Sequence, residues 1–159
     1  MEKGRLQEFT FRVTQASRTE LIVIMYDVIL SDTKEARRVL SDGDTVGYER
    51  ELKHAGRFMN ELMGALDYQY DISYELLSLY SFVNKTLVRA CVSRDASLLD
   101  AADDVIRGLR ASFYEVSKQD TEGPVMRNTE QVYAGLTYGK NSLNESLLDP
   151  NGTKRGFMA

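Results

Sequence analysis

The sequence predicts an all-α protein: an antiparallel up-down four-helix bundle with a short N-terminal arm and a poorly regular C-terminal tail. Apolar residues recur at spacings of three and four in four segments of about 20 residues, as on the buried faces of packed helices. The two prolines, Pro124 and Pro150, leave everything before residue 124 without the strongest helix breaker. No strand-like alternation competes before residue 120.

The first two predicted helices carry start or stop signals. The first spans about residues 18–40 and opens with Ser17-x-x-Glu20, a capping box in which each side chain satisfies a backbone amide of the other residue. Asp42-Gly43-Asp44 then turns the chain. The second helix spans about residues 47–67. The residues predicted to point inward from these helices are Leu21, Met25, Val28, Ala36 and Val39, then Leu52, Ala55, Met59, Leu62 and Leu66.

The third and fourth predicted helices follow after short links. The third spans about residues 74–93 with Asp71 or Ser73 as its cap, and the fourth runs from a cap at Asp95 to about residue 118. The inward residues are predicted to be Leu76, Tyr80, Val83, Leu87 and Ala90 or Cys91, then Leu98, Ala102, Val105, Leu109, Phe113 and Val116.

We expect residues 1–122 to form one bundle domain, with the arm over residues 1–16, and residues 123–159 to form a tail. The tail has no helical stripe of useful length, but it contains two apolar islands. Two interpretations remain open: the tail is disordered, or the islands dock on the bundle. The islands are Val132–Tyr138 and Leu143 with Leu147 and Leu148.

The composition narrows the classes of function. Lys plus Arg number 20 and Asp plus Glu number 24, which gives a net charge of −4 with no basic tract and disfavours nucleic acid as a partner. The longest apolar run, Leu21–Tyr26, is far shorter than the ~20 residues that span a bilayer. The start of the chain lacks the apolar run of a signal peptide, so no membrane insertion is predicted.

No set of residues predicts catalysis or a cofactor. A di-iron bundle needs Glu-x-x-His twice, whereas this chain has one instance, Glu51 with its single histidine His54, which we expect on a solvated helix surface. Cys91 is predicted to be a small buried hydrophobe. The segment GLTYG over residues 135–139 lacks the Lys-Ser/Thr ending of a P-loop. We therefore expect neither an enzyme nor a metal site.

Apolar residues also lie beside the inward stripes of two helices. On the third helix, Leu77, Asn84 and Val88 line one flank, while Phe82 points to the other side. Rows of exposed apolar residues usually mark a binding surface, and partner helices dock in grooves between them. The residues that flank the stripe of the fourth helix are Leu99 and Ile106.

The first helix has a second apolar strip, and Val23 faces nearly opposite its core side. Either a partner covers these residues, or the arm or the tail does, with Phe9, Phe11 and Val13 folding over the bundle end. Asp32 falls on the inward stripe, and because a buried unpaired carboxylate is costly we expect it at the rim. The second strip consists of Ile22, Tyr26 and Ile29.

Short motifs in the order expected of one family are spread over about residues 9–118. Gln15–Leu21 (QASRTEL) followed by Met25-Tyr26-Asp27 resembles a Thr-Ala-Ser-Pro-like helix start and an apolar run ending in Leu-Tyr-Asp. Leu79–Leu87 (LYSFVNKTL) resembles Leu-Tyr-x-Tyr-x-Asn followed by a basic residue and leucine. These are features of the flagellar secretion chaperone family FliS. Arg18 in place of proline and Phe113 in place of tryptophan depart from its pattern.

The resemblance implies a protein of the bacterial cytosol that binds the C-terminal segment of flagellin. It would prevent premature filament polymerisation and keep flagellin ready for type III secretion, without nucleotide, metal or other cofactor. Components of the export apparatus would be further partners, and the chaperone would be a monomer or a homodimer. The alternative is a structural helical bundle that self-associates through the same apolar rows and has no flagellin client.

The resemblance also suggests partner-binding residues. Phe9 and Phe11 would form a movable arm at the bundle end, and Asn84 would orient backbone groups of the bound chain. The other residues expected on the partner-facing surface are Tyr26, Leu77, Phe82 and Val88. The tail residues expected to compete with flagellin for the groove are Tyr133, Leu136 and Tyr138.

Overall fold

The computed structural model describes residues 3–125, and this part of the chain is helical with no strand. Its α-helices are α1 (Lys3–Gln15), α2 (Arg18–Ser41), α3 (Thr45–Gly64), α4 (Ile72–Ser93) and α5 (Leu99–Gln119), and a 3-10 helix (Ala96–Leu98) leads into α5. The prediction of an all-α protein is confirmed over these residues. The two apolar islands of the tail, including Tyr133, Leu136 and Tyr138, lie outside the described residues.

Most helix boundaries follow from local capping. The Glu20 carboxylate accepts a hydrogen bond from the Ser17 amide at 2.8 Å, and Ser17 Oγ accepts one from the Glu20 amide, so the predicted capping box forms. Asp44 caps α3, and Asp95 caps the 3-10 helix before α5. The four predicted helices therefore correspond to α2, α3, α4 and α5.

The predicted cap of α4 is wrong. Asp71 makes no side-chain capping hydrogen bond, and α4 already begins at Ile72. Ser73 lies in its first turn, where the hydroxyl donates to the Asp67 carbonyl at 2.5 Å. A turn within the link, closed by a hydrogen bond from the Tyr70 amide to that same carbonyl, leads directly into the helix. The backbone of the link thus takes the place of a capping side chain.

The predicted N-terminal arm is a helix of 13 residues. Its apolar residues Leu6, Phe9 and Val13 recur at spacings of three and four, so they share one face. Helices this short are marginal in isolation, and packing against the rest of the protein stabilises them. The helical spacing of these apolar residues is present in the sequence, but it covers only two turns and therefore gave a weak signal for a helix.

The core lies between α2, α3, α4 and α5. The hydroxyls of Tyr26 and Tyr80 meet at 2.5 Å, and Tyr48 donates to the Ala90 carbonyl at 2.9 Å, so the buried phenols are satisfied. Cys91 is half-buried, and Ala90 takes the inward position. The predicted inward residues of α3 and α4 that are buried are Leu52, Ala55, Met59, Leu62, Leu76, Tyr80, Val83, Leu87 and Ala90.

The predicted stripe of α5 is rotated. Leu99 and Ile106, predicted to flank it, are fully buried, whereas Val116, predicted inward, is 55% exposed. The reason is Asp103, which is buried and accepts hydrogen bonds from two side chains of α2, at 2.7 and 2.8 Å. This polar contact turns the adjacent face of α5 toward the core.

Val23, predicted to face nearly opposite the core, is buried, but it belongs to neither core cluster and lies near Arg12 of α1 and Arg110 of α5. The helix that carries it, α2, contacts α1, α3 and α5, so few of its faces remain open. Along α2 the partners in α5 come in reverse order, as shown by the pairs Thr19–Asp120, Asp27–Arg110 and Arg37–Asp100. These contacts are consistent with a helical bundle.

Candidate functional site

Two exposed apolar surfaces lie on opposite sides of α4. Val88 is 56% exposed and Phe82 is 46% exposed, while Leu77 and Asn84 are half-buried. We call Leu77, Asn84 and Val88 the α4 flank. The Asn84 amide group donates to Asn60 of α3 at 3.5 Å, so the flank borders the groove between these helices. All four α4 residues predicted to face a partner therefore reach the surface.

Gly56 of α3 lies beside Asn84 of the α4 flank. A Cβ atom added at Gly56 would lie 3.7 Å from the side-chain oxygen of Asn84, which is an ordinary van der Waals distance. The groove thus has the apolar residues Leu77 and Val88 on α4 and the polar side chains of Asn60 and Asn84 next to them. Such a border suits an extended or helical segment that offers both apolar side chains and backbone polar groups.

A second concave surface lies where the link between α3 and α4 meets α2 and α5. We call it the end cavity; its volume is about 460 Å³. Beside it, the rings of Tyr68 and Tyr74 approach to 5.3 Å, and both tyrosines are exposed. This cavity was not predicted from the sequence, because its lining comes from four separate parts of the chain. Its apolar lining includes Ile22, Met25, Leu62, Leu66, Ile72, Leu76, Phe113 and Val116.

The two phenylalanines predicted to form an arm lie on different sides of α1. Phe9 packs with Val13 against Ile24 and Val28 of α2, whereas Phe11 is 70% exposed. The helix lies along α2 rather than at the bundle end, because Arg12 pairs with Asp27 and Arg5 with Asp32 farther along α2. The arm thus covers Ile24 and Val28 of α2, which are not members of the predicted second strip.

The prediction that Tyr26 lies on the partner-facing surface is wrong. Tyr26 is fully buried: its hydroxyl bonds to Tyr80, and its ring meets Phe113 edge-on at 5.7 Å. Ile29 is buried in the same cluster, so two of the three residues of the predicted second strip belong to the core. The third, Ile22, packs partly buried against that cluster and lines the end cavity.

The prediction that Asp32 lies at the rim is wrong as well, because the residue is fully buried. One carboxylate oxygen lies 3.0 Å from Arg5 of α1, and the other lies 2.6 Å from Nδ1 of His54. Burial raises the pKa of Asp32, although His54 and Arg5 act in the opposite direction. His54 is half-buried rather than on a solvated surface, and its ring also contacts Phe58.

Asp27 is held by two arginines from different helices. Arg12 of α1 donates to it at 2.6 Å, and Arg110 of α5 donates from the other side. Burial opposes ionisation, but the hydrogen bonds from Arg110 and Arg12 outweigh it and hold the pKa of Asp27 below its usual range. Neither Arg5 nor Arg12 was singled out in the sequence, because a basic residue on a short helix gives no signal of its distant partner.

The lowered pKa of Asp27 predicts acid sensitivity. A folded-state pKa below the unfolded value gives stability above the unfolded pKa, which is lost as the pH falls through the folded pKa. We expect Asp27→Asn to lower the free energy of unfolding by on the order of 1 kcal/mol at neutral pH, since the pairs are partly exposed. The difference should shrink below about pH 4. Urea unfolding across pH measures it, and a difference that is constant with pH would contradict the assignment.

A comparison with protein families identifies the family of this chain. A family model described as "Flagellar protein FliS" matches residues 3–120. The chain belongs to the FliS family. The resemblance found in the short motifs is therefore confirmed, and FliS is a family of flagellar chaperones. A comparison with curated proteins found no match.

The FliS match spans every described helix, including α1. Among residues 3–125, no helix combines the length and apolar character needed to cross a bilayer. Over the same residues, histidine, cysteine and carboxylate side chains do not gather in a group of three that could hold a metal ion. The described residues thus offer two apolar surfaces, the α4 flank and the end cavity, with the helix α1 lying on α2.

Proposed function

We propose that this FliS-family protein is a cytoplasmic export chaperone that binds the C-terminal segment of flagellin. Binding would prevent premature polymerisation and keep flagellin ready for flagellar type III secretion. The observation that carries the proposal is the exposed apolar surface of α4, formed by Val88 and the partly exposed Leu77, with Phe82 on the opposite side. Exposed apolar rows of this kind usually mark a protein-binding surface.

The arrangement of helices supports this role. We propose that α2, α3, α4 and α5 form an antiparallel up-down bundle, and that residues 1–122 act as one chaperone unit. The reverse order of contacts between α2 and α5 supports this, as do the pairs Tyr48–Ala90 and Asn60–Asn84 between α3 and α4. In such a bundle the long flanks of α4 remain available to a partner over several turns.

The client would bind at more than one place. A segment lying along the α4 flank would have Asn84 available for its backbone groups, and an apolar side chain could fill the end cavity. The helix α1, with Phe9 and Phe11, would act as a movable arm. Because the client segment orders when it binds, the affinity is what remains after an ordering cost of several kcal/mol.

Co-expression with a flagellin from the same genome, followed by affinity capture of the chaperone, tests the proposal. We expect full-length flagellin to be captured and flagellin without its C-terminal segment to be lost, because that segment carries the apolar contacts. Equal capture of both forms would contradict binding through the C-terminal segment. Capture of neither form would contradict flagellin as the client.

Light scattering of the chaperone alone at two concentrations separates this function from that of a self-associating structural bundle. We expect one mass, that of a monomer or a homodimer, at both concentrations, and a larger mass only with flagellin. A mass that grows with concentration in the absence of flagellin would favour the structural bundle. Capture of export apparatus components by the loaded chaperone would extend the proposal.

A further inference from the structure

The helix α1 is attached to α2 by two arginines with apolar residues between them. Nη2 of Arg5 lies 3.0 Å from Asp32, and Nη2 of Arg12 lies 2.6 Å from Asp27. Residues seven apart in a helix lie on the same side, two turns from one another. Phe9 packs between them on the same face. The face of α1 that meets the bundle thus has an apolar residue between two basic residues.

The surface beneath α1 complements that face. We call Ile24, Asp27, Val28 and Asp32 of α2 the α1 seat. Its apolar part, Ile24 with Val28, is buried under Phe9 and Val13. Along α2, Asp27 lies between Ile24 and Val28, and Asp32 lies one turn beyond Val28. The seat is therefore a helix-binding site whose occupant is seen in the structure, and charge as well as apolar contact fixes the position of that occupant.

The carboxylates of the seat have basic partners both in α1 and in the rest of the bundle. Asp27 also binds Arg110 of α5, and Asp32 also meets His54 of α3. A second buried carboxylate, Glu51, lies 3.8 Å from Arg5 and 3.5 Å from Arg50. The end of the seat near Arg5 thus gathers two buried carboxylates. Loss of α1 would leave that end with fewer cations than it has now.

An occupant without basic residues would therefore fit the seat poorly. Covering a carboxylate with an uncharged surface removes its water and gives no counter-charge in return. An arginine in the position of Arg5 or Arg12 supplies charge-assisted hydrogen bonds instead. Apolar contact alone is common among amphipathic helices, so the charges decide which of them the seat accepts.

We propose that the α1 seat is an exchange site that selects a client helix with two basic residues seven positions apart and an apolar residue four positions after the first. The proposal rests on the proposed function, in which α1 yields to the client. It adds the chemistry of the segment that replaces α1. In this arrangement α1 itself is the occupant when no client is bound.

The first experiment uses the sequence of α1 as its own probe. In the full chain, Arg5→Ala with Arg12→Ala weakens the attached α1 and opens the seat. A capped peptide of residues 3–15 is then titrated into the isotope-labelled chain, and the amide signals of Ile24 and Val28 report binding. We expect saturable binding, which the unsubstituted chain resists because its attached α1 competes at high effective concentration.

A second peptide of identical composition is the matched control. It exchanges Arg5 with Gln7 and Arg12 with Thr14, so the arginines keep their spacing but leave the apolar face. We expect it to bind at least about tenfold more weakly, because two charge-assisted contacts are lost. Asp32→Asn in the opened chain should weaken binding of the first peptide and reduce the difference between the peptides.

Binding of both peptides within about twofold of one another would overturn the proposal, as would the absence of any binding to the opened chain. Circular dichroism checks that the opened chain remains folded. If it does not, Phe9→Asp with Val13→Asp opens the seat without removing the arginines, and the same comparison decides. Failure of flagellin capture with a clear preference between peptides would reject flagellin as the client but retain the selectivity of the seat.

Discussion

Substituting aspartate for Leu77 and Val88 together is expected to abolish co-purification with flagellin. Both residues lie on the α4 flank, one half-buried and one largely exposed, and neither belongs to the core. A bound client would cover both positions, so each new carboxylate would lose water without gaining a partner, at a cost of about 1–3 kcal/mol or more. Two such losses exceed the binding free energy that remains after the client segment has become ordered.

The control carries the same added charge elsewhere on the protein. Ala101→Asp with Ala111→Asp places two aspartates at exposed positions of α5, a helix that carries no residue of the α4 flank. We expect this variant to capture flagellin as the unsubstituted chain does, and both variants to keep their helix content by circular dichroism. Capture at unsubstituted strength by the Leu77 and Val88 variant would place the client on another surface.

Met59→Ala is expected to destabilise the fold by about 3 kcal/mol, within the range for large-to-small substitutions in cores. Met59 is fully buried in the cluster that joins α2, α3 and α4. Its removal leaves a cavity that the surrounding core side chains, which are themselves closely packed, fill poorly. Urea unfolding measures the loss as a lower midpoint with an unchanged slope.

Met63→Ala on the same helix is the comparison for that measurement. Met63 is half-buried and packs against the edge of the core, so the space it leaves is partly open to water. We expect a clearly smaller loss of stability, on the order of 1 kcal/mol. Equal losses for the two variants would mean that burial of Met59 contributes less than the structure indicates.

The helices of the bundle could be predicted from the sequence because their signals are local. The capping box at Ser17 and Glu20 and the unbroken spacing of Leu52, Ala55 and Met59 each depend on neighbours within a few turns. The same reasoning placed Val88 and Phe82 at the surface. Which of these surfaces receives a client remains a prediction.

The errors arose where a distant partner decides the position of a side chain. Asp32 was expected at the rim because an unpaired buried carboxylate is unfavourable, but Arg5 and His54 pair it from two other helices. Tyr26 was expected at the surface from its position beside the apolar stripe. Helical spacing does not show that its hydroxyl has a buried hydrogen-bonding partner, the hydroxyl of Tyr80. These pairs join residues more than 20 positions apart, beyond the reach of helical periodicity.

The chain has nine tyrosines and no tryptophan, so phenol groups dominate its near-ultraviolet absorption. Burial raises the pKa of Tyr26, Tyr48 and Tyr80. These three phenols would therefore remain protonated in alkaline solution for as long as the interior stays closed to hydroxide. The protein thus carries a built-in optical reporter, since the delayed appearance of tyrosinate marks the moment at which its helices separate.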